Sequence, residues 1–404
     1  MNVLHCIPSL TPSWGGPSTF LRHLAHLAEK PDLAIEIACM DPPGSAWLED
    51  IPCTVHAFSP VSTTWGYTPR LAPWLAKHRH RFDLVIAHDI WHYITYAVWQ
   101  ALKGSTTPYC IFAHGMLDRQ HKAQHPYKHL KKYAYWLACG HRIAGSASAI
   151  LFTSAAEQQR TAGTFSPYRI NKIVVPYGTL SPEGSQQSQR KLLYRQYTGL
   201  EQNPFLLYLG RIHEKKGLDL LVEAFSRLNG ANCCLQLLIS GPETDSSASK
   251  LRQAIASLPE AVKQRIIWTG ELVGPIKWGA LRAAQALILP SHQENFAMTV
   301  VEALACGTPV LVSNQVNIWP FIERQEAGLV EPDTESGTER LLARWLALGP
   351  DDRLKMQVNA RRCFNEHFNL KTLLPSYLET LKEVIALHKS QAGRCEPFRH
   401  RLQS

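Results

Sequence analysis

Gln293-Glu294-Asn295-Phe296-Ala297-Met298-Thr299-Val300-Val301-Glu302-Ala303-Leu304-Ala305-Cys306-Gly307-Thr308-Pro309 is the stretch from which the rest of the chain can be read. Ala286-Leu287-Ile288-Leu289-Pro290 precedes it and Val310-Leu311-Val312-Ser313 follows it. Both flanks are short apolar runs and predict buried strands. Between them, Ala297 to Cys306 is rich in helix formers, and Gly307 stands where a left-handed cap ends a helix. The unit is therefore strand, loop, helix, strand. Glu294 falls in the loop, at the carboxyl end of a strand, where open parallel sheets bind ligands. Glu302 lies two turns on, roughly 12 Å along the axis if the whole span were helical. The helix start between them offers free N–H groups that suit a phosphate. An ionised carboxylate only accepts hydrogen bonds, which suits sugar hydroxyls. Anchors on either side of a pyrophosphate would hold a sugar nucleotide by its sugar and its ribose.

Length and composition set bounds on this reading. A chain of 404 residues predicts two or three domains with large cores. The net charge of +9 favours anionic partners. Ten cysteines are scattered without paired metal-ligand spacing and predict reduced thiols in a cytoplasmic protein. The first residues, Met1 to Pro8, lack the basic region and long apolar core of a signal peptide. No apolar run reaches the 18 or so residues that a membrane span needs.

Strand and helix patterns alternate along the chain. Val3 to Ile7 predicts a first strand, and a loop to Trp14-Gly15-Gly16 leads into a helix opened by Pro17. The glycine pair permits close backbone approach to a ligand, but the spacing is not the dinucleotide fingerprint. Further strands are predicted over Ala34–Met40, Cys53–Phe58, Asp83–His88, Tyr109–Ala113, Ala149–Ser154 and Lys172–Pro176. His88, His92 and His114 all sit near carboxyl ends of these strands; His88 and His92 are read as rim or surface residues. The polar stretch 177–204 predicts a linker with one helix. Phe205–Leu209 then opens a second series, followed by Gly210-Arg211-Ile212-His213-Glu214-Lys215-Lys216-Gly217 and a helix from Leu218. Strand, glycine-rich basic loop and helix suit a diphosphate, with Arg211 as a planar fork and Lys216 as a point charge. It is not a Walker loop. Strands over Leu235–Ser240 and Arg265–Thr269 end in Gly241-Pro242-Glu243 and Gly270-Glu271-Leu272. Beyond Glu335 the chain reads as helical to His388, with a basic, aperiodic tail over Lys389–Ser404 that matches the composition of disorder.

Arg119 to Arg142 stands apart. It holds Arg119, Lys122, Lys128, Lys131, Lys132 and Arg142 with no acid, and Tyr127, Leu130, Ala134 and Leu137 follow helical spacing. Two readings stay open: a helix with its apolar stripe in the core, or one lying on an anionic membrane surface. A nucleic-acid partner is not expected, since no recognition module accompanies the patch.

Glu294 and Glu302, continued by Ala303-Leu304-Ala305-Cys306-Gly307-Thr308-Pro309-Val310, resemble the Glu-x7-Glu motif of the retaining GT-B glycosyltransferases of family 4. The loop from Gly210 to Gly217 resembles that family's phosphate-binding loop, and His114-Gly115 its His-Gly motif. The resemblance spans about Val3 to His388. It implies an α/β GT-B fold: two Rossmann-like α/β/α domains facing across a cleft, over 1–176 and 205–368, with a helix over 369–388 crossing back. It implies catalytic roles for Glu294, His114, Arg211 and Lys216. Donor contacts fall to Gly15, Gly16, Arg211, Lys216, Gly241, Glu271, Leu272, Glu294, Asn295, Phe296, Ala297 and Glu302. The sequence departs from the family at Tyr177-Gly178, where Asn-Gly is usual. The implied reaction moves a sugar from a nucleotide-sugar donor to a saccharide or lipid-linked acceptor, with retention, in surface polysaccharide or glycan biosynthesis. No metal or other cofactor is expected. The implied place is cytoplasmic, with peripheral attachment to the inner face of the cell membrane as an option. Rival readings are a GT-B sugar-nucleotide epimerase and a non-catalytic, membrane-associated scaffold that binds sugar nucleotides. An NAD oxidoreductase is weaker, lacking the fingerprint.

Overall fold

A computed structural model of the chain describes residues 1–28, 32–61, 65–119, 126–228, 234–243 and 246–395. Its contacts divide the chain into two units. One comprises Met1–Tyr177 with the chain from Leu373, and the other Gly178–Thr372.

Among the described residues, the first unit carries a seven-stranded sheet: β1 (Asn2–Ile7), β2 (Ala34–Cys39), β3 (Thr54–Ala57), β4 (Leu84–Ala87), β5 (Tyr109–Phe112), β6 (Ala149–Phe152) and β7 (Lys172–Val174). The order is β3-β2-β1-β4-β5-β6-β7 and every pairing is parallel. β4, β5 and β6 are buried at every residue. A parallel sheet covered on both faces requires such continuous apolar runs, and this is why the strands read without alternation. The order reverses direction between β1 and β4, with His5 in register with Ile86.

The second unit repeats the plan with six strands among the described residues: β8 (Phe205–Leu209), β9 (Gln236–Ser240), β10 (Ile266–Gly270), β11 (Ala286–Leu289), β12 (Val310–Ser313) and β13 (Gly328–Glu331). The order β10-β9-β8-β11-β12-β13 is again wholly parallel and reverses between β8 and β11. The expected pair of Rossmann-like α/β units is thus present. After β12, helix Trp319–Arg324 leads into β13, the edge strand that the sequence analysis did not pick out.

Two details differ from the sequence reading. Residues 178–204 form part of the second unit, where helix Gln186–Gln196 lies along helix Gly274–Ala283 so closely that a Cβ on Gly279 would meet the Gln189 carbonyl at 2.2 Å. The helix that starts at Leu370 continues to Cys395, past the expected end at His388. The remainder of the predicted tail, 396–404, lies outside the described residues, as does Lys122.

The basic stretch folds as helix Pro126–Tyr135, a π-helical turn Trp136–Gly140 and helix His141–Ser146. Trp136 is its core anchor, stacked on Phe165 at 5.0 Å and donating from Nε1 to the Pro167 carbonyl at 2.9 Å. The predicted apolar stripe is turned the other way. Tyr127 is 85% exposed, Leu130 67% and Leu137 50%, and Ala134 is exposed too. The core reading of that stripe is therefore overturned, because the aromatic residues Tyr133, Tyr135 and Trp136 take the inward side.

Candidate active site

In the second unit, the reversal between β8 and β11 leaves a crevice at the carboxyl ends of both strands, the position at which such sheets bind ligands. β8 runs into Gly210 and the loop that carries Arg211. Ile212 is buried and pairs with the loop after β9, its N–H donating to the Pro242 carbonyl at 2.9 Å. Glu214–Lys216 forms a single 3-10 turn, and Gly217, with φ of +65°, turns the chain into helix Leu218–Ser226. Gly217 is demanded twice over. The left-handed backbone favours glycine, and a Cβ there would sit 2.1 Å from the Pro290 carbonyl oxygen.

That close approach sets the basic loop against the loop after β11. The N–H of His292 donates to the Lys215 carbonyl at 2.9 Å, and Lys215 Nζ donates to the Gln293 side chain at 3.2 Å. Lys216 Nζ donates directly to the Glu294 carboxylate. The backbone of Glu294 is held on its other side by the Gln315 carbonyl at 3.2 Å and the Asn317 N–H at 3.1 Å. Asn295 accepts from the Asn317 amide at 3.2 Å, and Phe296 packs edge-on to Phe368 at 5.8 Å. Arg211 is exposed on the loop that also carries Lys216, and its carbonyl accepts from the buried Tyr208 hydroxyl at 2.8 Å.

Ala297 caps the next helix, Met298–Ala305, with φ of +54°. A left-handed alanine is strained by roughly 1 kcal/mol or more, and such residues gather at ligand sites. The first amides of the helix follow directly on the loop that holds Glu294, and a helix start leaves such N–H groups without partners inside the helix. Gly307 closes the same helix at φ of +73°, as its position in the sequence predicts. Glu302 is buried on this helix, and its Oε1 accepts from Lys277 Nζ at 2.9 Å. Lys277 also lies over the Trp278 ring at 4.2 Å. The sequence reading missed Lys277, since nothing local links it to a carboxylate 25 residues away.

The neighbouring turns are tied together. A Cβ on Gly241 would lie 1.7 Å from the Gly210 carbonyl, and Gly241 N–H donates to the Gly270 carbonyl at 3.0 Å. Leu272 N–H donates to Ser240 Oγ at 3.1 Å, whereas Glu271 is exposed. The structure thus brings Arg211, Lys216, Gly241, Glu294, Asn295, Phe296 and Ala297 around the ends of β8, β9 and β11.

In the first unit, His114 ends β5 at φ of +45° and Gly115 follows at +77°. Glu157, buried on helix Ala155–Arg160, fixes this turn: it accepts from the Gly115 N–H at 2.5 Å, and from the Thr153 N–H and hydroxyl at 2.7 and 2.8 Å. Sequence reasoning passed over Glu157, which has the look of an ordinary first-turn acid. His88 is not a rim residue but wholly buried. Its Nδ1 pairs with His114 Nε2 at 3.0 Å and its Nε2 with His5 Nδ1 at 2.8 Å. Burial pushes His5 down to about 3 and His114 to about 4, and holds His88 well below the usual histidine range. His92 behaves oppositely: its Nδ1 meets the Asp89 carboxylate at 2.8 Å, and that bond raises it.

Gly15 takes φ of +82° with open space where a Cβ would go, so its conformation and not crowding calls for glycine. Gly16 starts helix Gly16–Leu27, and its carbonyl accepts from the Tyr177 hydroxyl at 3.3 Å. Tyr177 stacks on Phe20 at 4.2 Å and stands edge-on to His114 at 6.0 Å. The departure from Asn-Gly therefore places an aromatic post between the glycine loop and the His114 turn. Among the described residues no group of three His, Cys, Asp or Glu side chains is arranged to hold a metal, and no helix is long and apolar enough to cross a membrane.

Two family models match the chain: "Glycosyl transferases group 1" over residues 191–362 and "Glycosyl transferase 4-like domain" over residues 15–178. An uncharacterised glycosyltransferase of Methanocaldococcus jannaschii is 22% identical over 66% of this chain and 67% of its own. A D-inositol 3-phosphate glycosyltransferase of Saccharomonospora viridis is 29% identical over 46% of this chain and 44% of its own. The sequence match thus spans about half to two thirds of these relatives. Among solved structures, Anabaena HepE in complex with UDP and glucose is 17% identical, with a TM-score of 0.75 over 94% of this chain and 99% of that one.

Proposed function

The chain belongs to the glycosyl transferases group 1 and has their GT-B fold, and from that premise we propose that it moves a sugar from a nucleotide-sugar donor to a saccharide or lipid-linked acceptor. The observation that carries this is the Lys216–Glu294 pair, which joins the loop carrying the exposed Arg211 to the loop that leads into helix Met298–Ala305. Cations and helix amides suit the diphosphate; the carboxylate suits the sugar hydroxyls. The HepE neighbour was solved with UDP and glucose, which supports a donor of that class. Glu302 is assigned to the ribose through the oxygen that Lys277 leaves open, and Gly241 and Leu272 to the nucleotide. In the first unit, His114 and the Gly15–Gly16 loop are assigned to contact with a sugar.

The hard step is cleavage of the bond from the sugar anomeric carbon to the pyrophosphate. Negative charge grows on the leaving phosphate, and in this reading Arg211, Lys216 and the helix amides stabilise it in place of a metal. Retention follows by attack on the face the phosphate leaves, with a phosphate oxygen taking the acceptor proton. The test is a thermal-shift screen against UDP-, GDP-, ADP- and TDP-sugars. A ligand at 100 times its Kd stabilises the native state by about 2.7 kcal/mol, a shift of several degrees for a domain of this size. One nucleotide should give that shift, and Glu302→Gln should diminish it. A flat response to all four, with acceptor sugars present, would sink the donor assignment.

The outward stripe Tyr127, Leu130 and Leu137, flanked by exposed Lys128, Lys131 and Arg142, favours adding an anionic membrane surface as a partner, in keeping with a lipid-linked acceptor in glycan assembly on the cytoplasmic face. Each such cation near an anionic leaflet contributes about 1 kcal/mol. Cosedimentation with vesicles containing anionic lipid should exceed that with neutral vesicles, fall with salt, and drop at least tenfold in the double variant Lys128→Glu, Lys131→Glu. Equal binding to neutral vesicles would remove this partner.

A further inference from the structure

His5, His88 and His114 form one hydrogen-bonded row, from the middle of β1 past the end of β4 to the turn after β5. The row passes beside Phe112, whose ring stacks on His88 at 5.1 Å and on His114 at 5.0 Å. A neutral imidazole has one donor and one acceptor nitrogen, so a row of three can be protonated in only two directions. The inner end chooses between them. His5 Nε2 is buried with no partner. An unpaired buried N–H is the rarer and costlier orphan, an unpaired acceptor the milder one. The proton of His5 therefore sits on Nδ1 and points to His88 Nε2. His88 must then carry its proton on Nδ1, directed at His114 Nε2. The proton of His114 is left on Nδ1, to which no described residue is bonded.

We propose that His5 and His88 are positioning residues that fix His114 in the tautomer protonated on Nδ1, so that the turn after β5 presents a neutral N–H donor to a sugar oxygen. This rests on the assignment of His114 to a sugar contact. The neighbours of His114 agree with a neutral donor: His88 and Phe112 line its inner side, Tyr177 stands edge-on, and the Asp89 carboxylate is already bonded to His92. Glu157, the other nearby acid, is taken up by Gly115 and Thr153. The row thus does for His114 what a carboxylate partner commonly does for a histidine, fixing orientation and tautomer, but without adding charge.

Long-range nitrogen–proton NMR correlation of the full chain with 15N-labelled histidine tests the tautomer directly. At pH 7.5 the wild-type protein should show His114 protonated on Nδ1 and bare on Nε2. In His88→Leu the His114 signals should move toward the average of two tautomers. In His88→Asn, whose amide can still donate toward His114, the single tautomer should return. Turnover should follow: kcat falls about tenfold or more in His88→Leu with KM for the donor little changed, as for a small misplacement of a reacting group, and recovers in His88→Asn. A wild-type His114 protonated on Nε2 overturns the proposal, as does an unchanged His114 spectrum in His88→Leu. Should either variant fail to fold, the wild-type spectrum alone still decides. A protein that transfers no sugar at all would count against the function assigned above, while the spectra continue to judge the row.

Discussion

Glu294→Ala is expected to lower sugar transfer by about 10³-fold while the second unit stays folded. A carboxylate that accepts from two sugar hydroxyls makes charge-assisted bonds of about 1.5–3 kcal/mol each, and two of them account for about two to four orders of magnitude. The folding cost is small by comparison. Glu294 and Lys216 each keep about one-sixth of their side-chain surface in water, and Lys216 can swing out to it when its partner is gone. Arg211→Ala and Lys216→Ala should each cost about 10²–10³ in kcat, the usual loss when one preorganised donor is withdrawn from a developing anion. Arg211→Lys should restore little, because an ammonium cannot supply the planar fork. Lys216 and Glu294 touch, so their losses should not add: the double variant should be little worse than the poorer single one. Initial rates with the donor found by thermal shift give these numbers. Turnover of Glu294→Ala within tenfold of wild type would remove Glu294 from the reaction, and fully additive losses would deny that the pair acts as one.

Much of this site is legible in the sequence, for a physical reason. Arg211, Lys216 and Glu294 lie in loops directly after buried strands, and each loop carries its own local signal: a glycine at a forced turn, a proline closing an apolar run, a helix start. The parallel sheet then does the rest, since strands of one direction deliver all such loops to one edge. Where function depends on packing between distant segments, the sequence is silent. Lys277 meets Glu302 only because helix Gly274–Ala283 packs beside helix Met298–Ala305. His5 looks like a polar residue interrupting a strand, and His88 like a rim residue, until the register of β1 against β4 sets them face to face. Glu157 is similar: its first-turn position is ordinary, and only the neighbouring β5 turn makes it an anchor. The stripe of Tyr127, Leu130 and Leu137 has the right period, but period alone does not tell which side of a helix faces the core. Trp136, one residue off the stripe, decides that.

His5, His88 and His114 also set how the first unit should respond to acid. Their ordinary value is about 6.5, and in the folded unit His5 stands at about 3, His114 at about 4 and His88 well below its usual range. The unfolded chain therefore binds protons that the folded one refuses. Stability from this source is complete above pH 6.5 and is lost as pH falls below it. Each neutral histidine costs roughly 1.4 kcal/mol per pH unit in that window, so the row together removes roughly 4 kcal/mol per unit until His114 and then His5 take up protons in place. Against a stability of about 5–15 kcal/mol for a typical domain, the loss reaches about 10 kcal/mol by pH 4, and the first unit should begin to unfold as pH falls toward about 5. His92 opposes this weakly, since its raised value makes its contribution full below pH 6.5 and lost as pH rises. Urea titrations followed by tryptophan fluorescence at pH 7.5, 6 and 5 read the slope. His5→Phe separates the row from ordinary acid denaturation: it removes one refused proton, and the slope between pH 6 and 5 should fall by about a third even though the variant is less stable throughout. A slope identical in wild type and His5→Phe would mean that the row accepts protons without unfolding, and the neutral chain from His5 to His114 would fall with it.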